Sequence, residues 1–249
     1  MIPFLLNNSS TWINIKKRDI ERLTKLQNLF LFSLLRVNHC PTPIMYFDLA
    51  MLSISSRILK EKLVLFHHIL CLPEGAVARS ILEIQQRLHL RGLNQEVEDF
   101  LVEHEISNAR EFTKSEWKHF VSRKIRISER NQLIEKAKKY KKIDYLSLSC
   151  EEFELKDYFC DLDLARARIK FRDRANCMST CKRHYPSEEN IVKMFLCESC
   201  DSDKVDNISH WRQCSAFSHF RQDRDLGSDT DLISYYQDII NLRRSEMNK

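Results

Sequence analysis

Glycine is almost missing from this chain: three residues in 249, Gly75, Gly92 and Gly227. A phosphate-cradling loop needs glycines close together so that backbone N–H groups can reach the anion, so nucleotide-binding loops of that kind are excluded. No two aspartates are adjacent, and the acidic residues read as helix-surface positions. A two-metal polymerase or nuclease centre needs clustered carboxylates, so the chain alone is not expected to be an enzyme of that type. No serine or cysteine stands in a nucleophile motif. Long apolar runs are lacking too. The longest uncharged one, Leu29–Leu35, is far short of the roughly 20 residues that span a bilayer, and Ile2–Leu6 lacks the charge and length of a signal peptide. No membrane partner is therefore expected. Asn-Gly and Asp-Gly hairpin turns are absent, and no repeat of fixed period occurs.

What is present is helical periodicity. The chain is 43 % apolar and 30 % charged, a balance that buries a core. Ile20, Leu23, Gln27, Phe30 and Leu34 recur every three to four residues and predict a first helix, stopped by the prolines of Cys40–Pro43. Leu52–Leu72 predicts a second helix, Ala76–Arg91 a third ended by Gly92, and Asn94–His104 a short acidic one. Thr113-x-x-Glu116 is a capping box opening a helix with inner residues Trp117, Phe120, Val121 and Ile125. Ser128 restarts the pattern through Leu133, Ile134, Ala137 and Tyr140. A second box, Ser149-x-x-Glu152, precedes Phe153, Tyr158, Leu162, Ala165 and Ile169. Asp231–Arg244 is a terminal helix, with Asp229 as cap and Arg243 and Arg244 suiting the negative end of its dipole. The fold class is all-α: an irregular multi-helix domain with one small C-terminal module and a terminal helix.

The net charge of +5 is unevenly spread. Lys114–Lys142 holds eleven Lys/Arg against three Glu, and Leu164–His184 holds seven against one Asp. Such runs are either solvated helix faces or the footprint of a polyanion, RNA or DNA. The candidate contacts are Lys118, Arg123, Lys124, Arg126, Lys138, Lys139 and Lys142, with Arg166, Arg168, Lys170, Arg172 and Arg174.

The module is Cys197-x2-Cys200 followed by His210-x3-Cys214. Two cysteines two apart form a knuckle that points two thiolates at one cation, and the second pair falls on one face of a helical turn. Three thiolates and an imidazole are a tetrahedral set that matches Zn2+. The segment is too small to fold on apolar burial alone, and a metal would supply the missing stability. The alternatives are a coincidence of free thiols or a redox Cys-x-x-Cys, the latter without the βαβ context such motifs have. Trp211, beside His210, either stacks on an unpaired base or packs against the small metal core. Cys177, Cys181 and His184 form a weaker cluster without an evident fourth ligand, and His67 and His68 read as core-edge residues. The remaining cysteines, in apolar surroundings, suit a reducing, intracellular setting, cytoplasmic or nuclear.

Several stretches together resemble the reverse transcriptases of animal non-LTR retrotransposons. Ile2–Trp12 ("IPFLLNNSSTW") is similar to the segment after the palm, with Asn7 in place of the usual tyrosine. Arg57–Ile69, Gln85–Glu96, "SEWKHFV", "KKYKKIDYL" and Ala165–Arg174 resemble later segments in order, and the stretch from Cys197 onward resembles the terminal zinc module. The resemblance covers essentially the whole chain. It implies residues 1–40 as a thumb-like region, 41–196 as a connecting helical region with basic helices, 197–225 as a CCHC zinc module and 226–249 as a C-terminal helix. In that family the catalytic aspartates precede the thumb, so the chain looks like the C-terminal part of such an enzyme, with the remainder of the reverse transcriptase as a partner. The implied function is binding of RNA or DNA without polymerase chemistry. The other reading is a helical protein-interaction adaptor with a structural zinc finger.

Overall fold

The computed structural model describes residues 6, 8–12, 14–37, 40–90, 92–140, 145–175, 177, 197, 199–200 and 208–247. Of these, 70 % are helical and none lies in a strand. Helix α1 spans Lys17–Leu35. Its buried residues are Gln27, as expected, then Leu31 and Leu35, one position past the expected Phe30 and Leu34, and Phe30 is left 38 % exposed. Arg36 closes α1 in the left-handed region (φ 50°) before the prolines are reached. Pro41 and Pro43, expected to stop a helix, instead open α2 (Thr42–Asp48), where a missing N–H costs nothing.

Helix α3 (Ile54–Leu70) is capped by Ser53, whose Oγ accepts from the Ser56 N–H. Helix α4 (Val77–Arg87) ends before Gly92, which instead precedes the first residue of α5 (Leu93–Glu103). A Cβ there would come 2.6 Å from Gln85 Oε1, the far end of a flexible side chain that can swing aside. Helix α6 (Lys114–Ala137) carries both halves of the capping box, Thr113 Oγ1 accepting from the Glu116 N–H at 3.3 Å and Glu116 Oε2 from the Thr113 N–H at 2.8 Å. No break occurs at Ser128. The box expected at Ser149 is not formed; α7 (Tyr145–Cys150) ends there and the Ser149 hydroxyl donates to the Leu146 carbonyl. After α8 (Tyr158–Asp161), Asp163 caps α9 (Leu164–Arg174), which buries Ala167, Ile169 and Phe171 while Ala165 is exposed. Helices α10 (Ile208–Trp211), α11 (Ser218–Arg221) and α12 (Asp229–Met247) complete the set, with Asp229 inside the first turn of α12 rather than before it.

The side chains pack into three clusters. The first joins α1 and α2 to Leu133, Ile134 and Ala137 of α6, with Phe171 and Ala175. The second joins α3, α4 and α5 to Trp117, Val121 and Ile125 of α6. The third gathers Ile169 with Cys197, Trp211, Cys214, Phe217 and the inner face of α12. Helix α6 serves two clusters because its buried residues Trp117, Val121, Ile125, Glu129, Leu133 and Ala137 are each four apart. Four residues turn about 400°, so each step moves the stripe about 40° around the axis.

Helix α9 is lashed inward by its own cations. Arg168 Nε donates to the Leu34 carbonyl at 2.7 Å and Arg172 Nη2 to the Arg36 carbonyl at 2.6 Å, at the negative C-terminal end of α1. Arg174 reaches Asp48 at 3.0 Å and also pairs with Glu151, while the Tyr158 hydroxyl donates to Asp48 at 2.7 Å. Burial pushes the Asp48 carboxyl above its ordinary value despite the opposing pull of Arg174 and Tyr158. Among the described residues, no helix is long and apolar enough to cross a membrane.

Candidate metal centre

The four residues singled out by spacing meet. One donor atom from each of Cys197, Cys200, His210 and Cys214 lies within 4.8 Å of the others, and the set could hold a metal ion. Cys197 Sγ stands 3.9 Å from Cys214 Sγ, and Cys200 Sγ stands 3.3 Å from His210 Nε2. His210 is carried by the short helix α10, while Cys214 follows it after a turn and caps a 3-10 turn at Ser215–Phe217. The second pair is therefore delivered by a helix end and a turn, not by one helical face as the four-residue spacing implies.

Cys197, His210 and Cys214 are buried and Cys200 is half-buried. Burial pushes the Cys214 thiol up to about 11, and the adjacent Cys200 and Cys197 sulfurs add to that push. A Cys214 thiol so placed resists ionisation unless a cation shares the site.

The surroundings hold the centre in place. Trp211 is 1 % exposed and packs among Phe217, Tyr235 and Tyr236. A ring so enclosed is poorly placed to stack on a base; it packs beside the cysteine–histidine cluster. Arg221 Nη1 donates to the Cys214 carbonyl at 2.8 Å, and the Tyr235 hydroxyl donates to the Trp211 carbonyl. Arg212 pairs with Asp173 of α9 at 2.9 Å and donates to the Tyr236 hydroxyl at 2.8 Å, so the module is tied to α9 and α12 together. Arg243, in the last turns of α12, is 5 % exposed. Its guanidinium carbon lies 4.5 Å from the Trp211 ring centre, and its Nη2 is 3.9 Å from Cys197 Sγ. The signal that could have placed it is its step of four from Ile239, on the buried stripe of α12.

The other expected sites fare differently. Cys177 is half-buried against the first cluster, while Cys181 and His184 lie outside the described residues, as does Lys142. His67 is buried, with Nε2 3.0 Å from the Phe112 carbonyl and its ring stacked on Trp117; His68 is exposed. Lys118, Arg123 and Lys139 are exposed, and Lys124 sits over the Phe120 ring at 5.6 Å. Arg126 donates to the Phe153 carbonyl, Lys138 pairs with Glu135, Arg166 with Asp163, and Lys170 with Asp229. With Arg168, Arg172 and Arg174 bound to α1, Asp48 and Glu151, the cations of the second basic stretch satisfy acceptors of this chain, Arg166 alone doing so from an exposed position. No protein-family profile, curated protein or solved structure matches the chain.

Proposed function

We propose that this chain is a nucleic-acid-binding C-terminal portion of a retroelement reverse transcriptase, without polymerase chemistry of its own, built around a structural Zn2+ held by Cys197, Cys200, His210 and Cys214. The donor set fits zinc. A tetrahedron with Zn–S of about 2.3 Å and Zn–N of about 2.05 Å has edges of about 3.8 Å between sulfurs and about 3.6 Å between sulfur and nitrogen. Of the six separations here, Cys197–Cys214 is 3.9 Å and Cys200–His210 is 3.3 Å, and all six fall within 4.8 Å. With all four positions taken by protein, the ion would crosslink the segment rather than activate water. Elemental analysis of reduced, natively purified chain should find about one zinc per molecule, lost or weakened in Cys200→Ser; metal-free protein would reject this part of the reading.

The binding part rests on one observation. Lys124, Lys136 and Lys139 line a single groove along α6 and just past its end, with His104, Asn131 and Gln132 as further hydrogen-bonding groups and Glu103 and Glu135 also present. Lysines gathered there can neutralise successive phosphates, the sequence-independent part of nucleic-acid affinity. Fluorescence anisotropy on a short RNA hairpin and a DNA duplex over a salt series tests it. Binding should be weakly dependent on sequence and steeply dependent on salt.

A different observation favours the adaptor reading. Val77, Ile81, Ile84 and Leu88 are spaced four, three and four apart along α4 and are 73, 50, 43 and 56 % exposed. An apolar stripe of that kind suits a partner helix. Should neither nucleic acid bind below about 10 μM at low salt, the adaptor becomes the better account.

A further inference from the structure

We infer that Arg243 is the counter-charge of the metal centre, and that it makes the seating of the terminal helix depend on the bound metal. The inference rests on the zinc reading above. Three thiolates around one divalent cation leave the set with a net negative charge, and three of its four ligands are buried. A net charge withdrawn from water is unfavourable unless an opposite charge sits beside it. Arg243 supplies that charge. It comes from α12, 46 residues after Cys197 in sequence, and directs Nη2 at Cys197 Sγ from 3.9 Å. Its flat guanidinium is held between two rings of the same cluster, 4.5 Å from the Trp211 centre and 5.3 Å from that of Phe217. Arginine suits this place because it stays charged at every relevant pH and stacks on aromatic faces. The hydrogen bond to a ligand sulfur is the kind of outer contact that orients a metal ligand and tunes its donation. Without the metal nothing crosslinks Cys197 to His210 and Cys214, and the Arg243 guanidinium loses the fixed partner that seats it in the cluster. Arg243 is thus a positioning residue acting through Cys197, and α12 reports on occupancy of the site.

The test uses the full chain, reduced, loaded with Zn2+ or Co2+. Zinc affinity is measured by competition with a chromogenic chelator for the wild type, Arg243→Met and Arg243→Lys. The methionine variant fills a similar volume without charge and should lose about 10- to 100-fold in affinity, while lysine should restore most of it. In the cobalt form, the sulfur-to-metal charge-transfer band of Arg243→Met should move to longer wavelength, because the Cys197 lone pair no longer faces a positive charge. Packing alone would not move that band. Affinity within twofold of wild type together with an unshifted band would assign Arg243 to packing and overturn the inference while leaving the zinc reading intact. A wild-type chain that binds neither metal overturns both. Should Arg243→Met fail to fold, hydrogen exchange on the wild type decides. Metal removal should abolish amide protection along 232–243 and leave α3 protected; unchanged protection of α12 overturns the coupling.

Discussion

Asp48 shows how much individual side chains here depend on distant partners. Its side chain is 0 % exposed, and its partner Arg174, 24 % exposed, lies 126 residues away in sequence. Removing one member of a buried pair leaves the other charge poorly solvated, which costs roughly 3–5 kcal/mol. Arg174 also holds Glu151, so Asp48→Ala should fall at the low end, about 3 kcal/mol in urea unfolding; a loss under about 1 kcal/mol would show that Glu151 alone suffices. Sequence could not reveal this pair, because its members lie in segments far apart in the chain. The cysteine–histidine quartet was legible for the opposite reason. All four donors fall within one short stretch, and the chemistry of thiolate and imidazole fixes what they can hold. Trp211 was half legible: its position beside His210 marked it, but only the packing of Phe217 and Tyr236 around it chose between stacking and burial.

Among the elements, α6 and α9 look alike in sequence, since both are rich in Lys and Arg, and they use their charge differently. Along α6 and just past its end, Lys124, Lys136 and Lys139 share an open groove. On α9, Arg168 and Arg172 fasten the end of α1. Reversing the three lysines to glutamate should weaken binding to all sequences alike and flatten the log–log salt slope by about two to three units, at roughly 0.7–0.9 per phosphate contact. Arg168→Ala and Arg172→Ala should leave the slope unchanged and lower stability by about 1–3 kcal/mol each, since each leaves helix-end carbonyls with fewer donors. Equal slope changes from both sets would refute this division. Element type was readable from periodicity because apolar side chains recur at helical spacing whatever they pack against. Boundaries were readable only where a cap is local. The Ser/Thr-x-x-Glu pattern formed its box at Thr113 but not at Ser149. After Cys150 the chain turns to bring Glu151 to Arg174 and Phe153 under Arg126, and these contacts outweigh a cap.

For the whole molecule, the third cluster counts Cys197 and Cys214, two of the four proposed metal ligands, among its buried residues. Structural zinc in small modules contributes about 10–16 kcal/mol of apparent binding energy at neutral pH, comparable with the roughly 5–15 kcal/mol that holds a whole domain. Chelation should therefore open this cluster while the other two persist. Limited trypsin digestion of zinc-depleted chain should cut at Arg212, Arg221 and Arg224 and spare Arg126 and Arg130 of α6. Simultaneous loss of both sets would mean that the three clusters unfold as one.

The winding stripe of α6 also bears on the order in which the chain becomes native as it is synthesised. The second cluster is contained within residues 63–125, while the first needs both Leu31 and Ala175. The inner group can close as soon as the first half of α6 has emerged. Helices α1 and α2, made earlier, must wait for Leu133, Ile134 and Ala137 at the end of α6 and then for Phe171 of α9, with Leu31, Leu35 and Phe47 uncovered meanwhile, an interval in which a nascent chain is prone to associate with others or with a chaperone. Chains stalled with about 130 residues free of the ribosome should therefore resist proteolysis in α3 and α5 but be cut in α1, and release of the full length should reverse the second result. Protection of α1 at that length would mean that its docking does not require α9.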